Sequence, residues 1–197
     1  MDTPDRYAVS VWPGSPTPDH SVGRALVLPG GGYTVDQPLL LWACHVLAQL
    51  DWRVVTMRWQ WTEQDDPRTF VEAGAEKLDL EAGPAATTLL VAKSLGSYAA
   101  GWAAARRYPA VWLTPVLTDD FVAEALGRHS APALLVGGTS DRLWDAERAS
   151  ATGLSRLEIH GADHSLQVSD DWRASIEALQ QTLTAVEDFA TTVASRG

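Results

Sequence analysis

The sequence is short of sulfur, of positive charge and of long apolar runs. Its 197 residues hold one cysteine, Cys44, so no internal disulfide can form, which suits a cytoplasmic, reducing location. Cys44 sits in an apolar helical pattern and reads as a packing residue rather than a nucleophile. Fifteen Lys and Arg against 25 Asp and Glu leave a net charge of -10, which repels phosphate backbones and anionic lipid headgroups. Neither nucleic acid nor a membrane surface is an expected partner. The longest apolar stretch, residues 39–50, is interrupted by His45 and Gln49, and residues 1–6 are polar and charged, so neither a membrane span nor a leader is read. Repeats, low-complexity tracts and linkers are also missing. With a hydrophobic share of 46%, the chain reads as a single globular domain over residues 1–197.

What the sequence does have is a succession of short apolar blocks. Residues 7–11, 25–28, 53–57, 88–92, 110–114, 133–136 and 156–159 are of strand length, and most lack polar alternation, as strands covered on both faces do. Helical spacing fills the gaps, after Asp36 to residue 50 and over 67–80, 95–107, 120–128, 145–154 and 170–193, with several segments starting at Asp or Ser. Strand and helix in alternation predict a three-layer α/β/α sandwich on a mostly parallel sheet. Sheets of this kind bind ligands at the carboxyl ends of their strands.

Four of the loops after strands carry chemistry. In Ala92-Lys93-Ser94-Leu95-Gly96 a strand turns sharply into a helix, with small residues two before and two after the serine. The helix start would aim backbone N–H groups at the serine oxygen; the plainer reading is a serine N-cap. Pro29-Gly30-Gly31-Gly32-Tyr33 follows another strand, and its glycines leave backbone N–H groups free to face a substrate oxygen. A phosphate cradle is the weaker rival, because the Lys-Ser/Thr pair and the spaced glycines of nucleotide loops are missing. Gly137-Gly138-Thr139-Ser140-Asp141 and Gly161-Ala162-Asp163-His164 end two further strands. A serine hydroxyl needs an imidazole to take its proton, and the imidazole needs a carboxylate to hold its tautomer. Ser94, His164 and Asp141 supply the three types, each just past a strand end.

With these motifs in the order Ser, Asp, His, nearly the whole chain resembles the α/β-hydrolase superfamily, in particular its small dienelactone-hydrolase-like and carboxylesterase-like members. The resemblance implies Ser94 as nucleophile, His164 as general base and then acid, and Asp141 as its orienting partner. It implies an oxyanion hole from the N–H groups of Leu95 and of Gly31 or Gly32, and no metal or organic cofactor. Two positions depart from the usual pattern: Ala92 replaces the first glycine of the turn, and Pro29 stands where many esterases have a histidine. Dienelactone hydrolases use a cysteine nucleophile, so their particular reaction is not implied.

Other residues compete for these roles. Asp119 or Asp120, after the strand at 110–114, is the alternative triad acid; Asp145 reads as a helix cap. His160 and His164 are four apart, but Gly161-Ala162 argues against a helix that would pair them as metal ligands. His20, His45 and His129 show no supporting pattern. Tyr33, Trp59, Trp61 and Trp144 are candidate walls of a substrate pocket, with core packing the rival for each Trp. The expected activity is hydrolysis of small carboxylic esters or thioesters, with acyl transfer, peptide cleavage or a non-catalytic role on the same scaffold as alternatives. A homodimer is compatible with the sequence. Since only about 18 residues separate the strand ending near 114 from the one starting near 133, there is no room for a cap domain, and an open site is expected.

Overall fold

The computed structural model describes residues 6–196, so the polar stretch read at residues 1–6 lies, except for Arg6, outside the described residues. Seven strands form one sheet: Tyr7–Val11 (β1), Gly23–Leu28 (β2), Trp52–Trp59 (β3), Thr88–Lys93 (β4), Ala110–Leu113 (β5), Ala133–Gly138 (β6) and Ser155–Ile159 (β7). Their order is β1-β3-β2-β4-β5-β6-β7, parallel throughout except for β1, which runs antiparallel to β3 at the edge. Every residue of β2, β4, β5 and β6 is buried, which is why these strands show apolar blocks rather than alternation.

Six α-helices cover the two faces: Pro38–Gln49 (α1), Pro67–Ala82 (α2), Ala100–Arg106 (α3), Asp120–Gly127 (α4), Ala146–Ala151 (α5) and Trp172–Ala194 (α6). Successive strand residues alternate between two cores. Leu26, Leu90, Trp112 and Leu135 join a core with α2, α3 and α4, while Val27, Val91, Val111 and Val136 join one with α1 and α6. This is the three-layer sandwich. Asp66, Asp119, Asp145 and Asp171 each accept a backbone N–H in the first turn of the following helix, and such caps are typically worth ~1 kcal/mol each. Asp36 does not cap α1; its carboxylate pairs with Arg58 and Gln37 takes the cap position. Between β5 and β6 the described chain holds only α4, with no inserted cap. No helix among the described residues is long and apolar enough to cross a membrane.

Several element boundaries differ from the sequence expectation, and two of these differences bear on the candidate site. The segment expected as one helix over 95–107 starts as a 3-10 helix, Ser94–Ala99, and becomes α-helical only at Ala100. The Ser97 hydroxyl donates to the Ser94 carbonyl at 2.6 Å and accepts from the Val116 N–H at 3.1 Å, which favours the tighter winding. The strand expected over 110–114 stops at Leu113, because Thr114 turns to φ 45°, a left-handed conformation unusual for a β-branched residue.

Candidate active site

The site is assembled from loops at the carboxyl ends of β2, β4, β6 and β7. Ser94 follows β4 directly and holds φ 51°, a left-handed conformation that costs a non-glycine residue about 1 to 3 kcal/mol. The surrounding packing sustains it. A Cβ on Gly96 would meet Leu28 Cβ and the Pro29 carbonyl oxygen at 3.1 Å, so the small residue after the serine lets the turn press against the end of β2. The glycine loop adjoins the serine on that side. Gly30 donates its N–H to the Tyr33 carbonyl at 2.8 Å and accepts the Trp59 Nε1–H at 2.9 Å, leaving Gly31 and Gly32 exposed beside the serine. Leu95 lies in the first turn of the 3-10 helix, where a backbone N–H has no partner within the helix.

His164 Nε2 lies 2.7 Å from Ser94 Oγ, and His164 Nδ1 lies 2.8 Å from Asp141 Oδ2. A carboxylate only accepts, so Nδ1 carries the proton, and the lone pair on Nε2 is left to accept the serine hydroxyl. The other Asp141 oxygen accepts the Leu143 N–H at 2.9 Å. Exposure separates the partners: the Asp141 side chain is 1% exposed and the His164 side chain 34%, so the acid is shielded from water while the base can meet a substrate.

The β6 and β7 loops that carry Asp141 and His164 are locked together. A Cβ on Gly138 would fall 2.1 Å from the Ala162 carbonyl oxygen, so only glycine permits the approach. Ser140 donates its N–H to that same carbonyl at 2.9 Å, and Thr139 Oγ1 accepts the Gly161 N–H at 2.8 Å. Asp163 folds the histidine loop by accepting the N–H groups of Ser165 and Gln167. An open cavity of about 430 Å³ lies against Ser94 and His164, bounded by Gly31, Gly32, Tyr33, Gln37 and Gln167.

No protein-family model matches the sequence, and no curated protein matches it. Solved structures do. Est1E from Butyrivibrio proteoclasticus superposes with a TM-score of 0.70 at 13% identity, covering 94% of this chain and 93% of that one. A Xanthomonas campestris protein described as a serine hydrolase without a lid gives 0.61 at 17% identity, covering 96% of each chain. An esterase from Pyrococcus furiosus gives 0.65 at 14% identity, covering 90% of this chain and 85% of that one. The chain has the α/β-hydrolase fold. In this α/β-hydrolase scaffold Ser94 occupies the sharp strand-to-helix turn after the central strand β4.

The remaining candidates fall into place around that turn. Asp119 caps α4 and accepts the Tyr98 hydroxyl at 2.9 Å, while Asp120 is exposed and pairs with Arg148 at 2.8 Å, so neither carboxylate is bonded to His164. Tyr33 lines the cavity, and its hydroxyl accepts the Leu39 N–H at 3.0 Å. Trp61 stands 3.1 Å from where a side chain on Gly31 would begin, so Trp59 and Trp61 support the glycine loop from behind. Trp144 is buried on Gly137 and joins the core on the α2, α3 and α4 face instead of bounding the cavity; the absence of a Cβ at 137 draws the indole inward. Burial pushes the Cys44 thiol up to about 12, in keeping with a packing role. His20 bonds Thr17, His45 packs on Trp12 and Trp42, and His129 lies beside Trp112, all outside the site. Among the described residues no cluster of three or more His, Cys, Asp or Glu could hold a metal ion.

One participant escaped the sequence reading. Lys93, the last residue of β4, is 1% exposed, and its Nζ reaches the carbonyl oxygen of His164. The available signal was a lysine directly after the apolar run Leu89-Leu90-Val91-Ala92.

Proposed function

We propose that this protein is a serine hydrolase that cleaves small carboxylic esters or thioesters through an acyl-enzyme on Ser94. The observation that carries the reading is the continuous hydrogen-bonded line from Ser94 Oγ through both nitrogens of His164 to the shielded Asp141. In the first step Ser94 Oγ attacks the substrate carbonyl as its proton passes to His164 Nε2, and the carbonyl oxygen becomes an oxyanion. The N–H groups of Leu95 and of Gly31 or Gly32 receive that charge; one such donor is typically worth about 3 kcal/mol in the transition state. The imidazolium, held by Asp141, then gives its proton to the leaving oxygen or sulfur, and the acyl group remains on Ser94. Water deprotonated by His164 attacks the acyl-enzyme, releasing the acid and restoring the serine.

Two features support the hydrolase reading, one against a non-catalytic role and one against acyl transfer. The left-handed serine is a strained conformation retained at a polar, open cavity, where a binding scaffold would have no use for it. The cavity opens directly to solvent, which favours water as the acceptor and substrates of modest size. Among similar folds, a structure of Est1E holds ferulic acid, a carboxylic acid. The test is turnover of p-nitrophenyl acetate and of short acyl thioesters, with products analysed in the presence of added alcohols and amines. Free acid should dominate; predominant formation of new esters or amides would make the protein an acyltransferase, and no turnover of any acyl donor would remove the reading.

A further inference from the structure

Lys93 is placed where a cation has no evident use for stability. The chain uses arginine for 13 of its 15 cationic residues and has two lysines, and one of these is buried beside the nucleophile. Its ammonium has three protons and three recipients. It donates to Thr114 Oγ1 at 2.9 Å and to the His164 carbonyl oxygen at 2.9 Å, and it sits 4.5 Å from the centre of the Tyr33 ring. Among the described residues no carboxylate is within hydrogen-bonding distance of it. The three recipients belong to the end of β5, the histidine loop and the glycine loop, and Lys93 itself adjoins Ser94.

We propose that Lys93 is a positioning residue: it ties the backbone of His164 and the ring of Tyr33 to the end of β4, and so sets where the imidazole and the glycine loop stand relative to Ser94. The proposal rests on the serine-hydrolase reading for its effect on rate. Lysine suits the task because its three donors radiate from one atom, whereas the planar fork of arginine presents its donors in one plane and needs more room. Thr114 completes the arrangement from the other side. Its left-handed backbone, the same departure seen at Ser94, carries its hydroxyl to the ammonium.

The cost of this arrangement separates it from a structural staple. Burial pushes the Lys93 ammonium down to about 8, with Asp141 and Asp163 pulling it upward, so at neutral pH the fold carries a desolvated charge. Other groups that face it are the phenol of Tyr33, the hydroxyl of Thr114 and His164, through its carbonyl. Methionine, of similar length and with no charge to desolvate, should pack there without that cost. A residue kept for stability would be chosen otherwise.

The test is Lys93→Met, with Thr114→Val as the gentler companion that removes one of the recipients. For Lys93→Met we expect an unchanged or raised Tm, kcat toward p-nitrophenyl acetate lowered about 10- to 100-fold, and KM within about threefold. Fluorophosphonate labelling of Ser94 should slow by the same factor, and Thr114→Val should fall between the two proteins. A readout independent of turnover is the downfield Nδ1 proton of His164 by NMR, assigned with His164→Gln: in Lys93→Met it should broaden or exchange faster. If wild type turns over no acyl substrate, the function reading fails, and that proton still decides the role of Lys93. Wild-type rate with an unchanged proton resonance, or a rate lost only in proportion to a lowered Tm, would overturn the proposal.

Discussion

The two ends of the parallel sheet each bury a basic residue, and they treat it differently. At the amino ends of the strands, Arg24 meets the Asp79 carboxylate at 2.5 Å, the carbonyl oxygens of Asp79 and Gly83, the Thr88 hydroxyl and the Tyr108 hydroxyl. At the carboxyl ends, Lys93 meets a hydroxyl, a carbonyl and a ring, while Asp141 and Asp163 act on its charge without touching it. Arg24 binds β2 to α2 with its charge compensated, which is the arrangement of a structural tie. Lys93 holds the loops of a candidate catalytic site and lowers stability in doing so. The difference teaches that a buried cation is matched by a contacting carboxylate at one end and left without one at the other, where the left-handed Ser94 and Thr114 flank it.

Substitutions should separate the two ends sharply. Ser94→Ala and Asp141→Asn should each reduce ester hydrolysis by about 10⁴-fold or more while leaving the unfolding midpoint within a few degrees of wild type. Asp119→Asn, which keeps a capping oxygen for α4 and changes only the charge facing Tyr98, should stay within about 1 kcal/mol of wild type in urea unfolding and keep most of the activity. If Asp119→Asn instead matched Asp141→Asn in rate, the acid assignment would move. At the other end, Arg24→Met should remove about 1 to 3 kcal/mol of stability, because the carbonyl oxygens of Asp79 and Gly83 and the Thr88 hydroxyl lose their donor while Asp79 keeps Tyr108 and Arg106, with the specific activity of the folded fraction unchanged. An unaltered urea midpoint would show that Arg24 is no structural tie.

The pH dependence of stability should expose the buried charge of Lys93. The folded pKa of Lys93 is depressed to about 8 from the ordinary 10.5, so its charge destabilises the fold fully below about pH 8. Between about pH 8 and 10.5 the unfolded chain binds the proton and the folded chain does not, so stability from this group rises with pH, by up to ~3 kcal/mol. The stability gap between Lys93→Met and wild type should therefore narrow from pH 7 to pH 10, as followed by urea unfolding. A widening gap would reverse the sign of the argument. The smallest effect concerns Cys44: with its thiol buried and pushed up to about 12, it should react with a disulfide reagent at pH 8 only on unfolding.

Much of this was legible in the sequence, for definite reasons. The central strands β2, β4 and β6 are apolar on both faces, so their blocks stand out, and Asp145, read as a helix cap, caps α5. Ser94, Asp141 and His164 were visible because each follows a strand and the fold gathers strand ends. What escaped depends on contacts between distant residues. Trp144 looked like a pocket wall from its nearness to Asp141, but the missing Cβ of Gly137 draws it into the core. The 3-10 start of the helix after Ser94 depends on Ser97 reaching Val116, nineteen positions away. The role of Lys93 needs Thr114 and His164, which only the folded sheet brings to its ammonium.

The role of Ser94 as nucleophile is tested most directly by one measurement: the intact mass of the protein after reaction with a fluorophosphonate at pH 7.5. Wild type should gain a single adduct, located on Ser94 by peptide mapping, and Ser94→Ala should gain none. An unmodified wild type, or an equal adduct on Ser94→Ala, would contradict it.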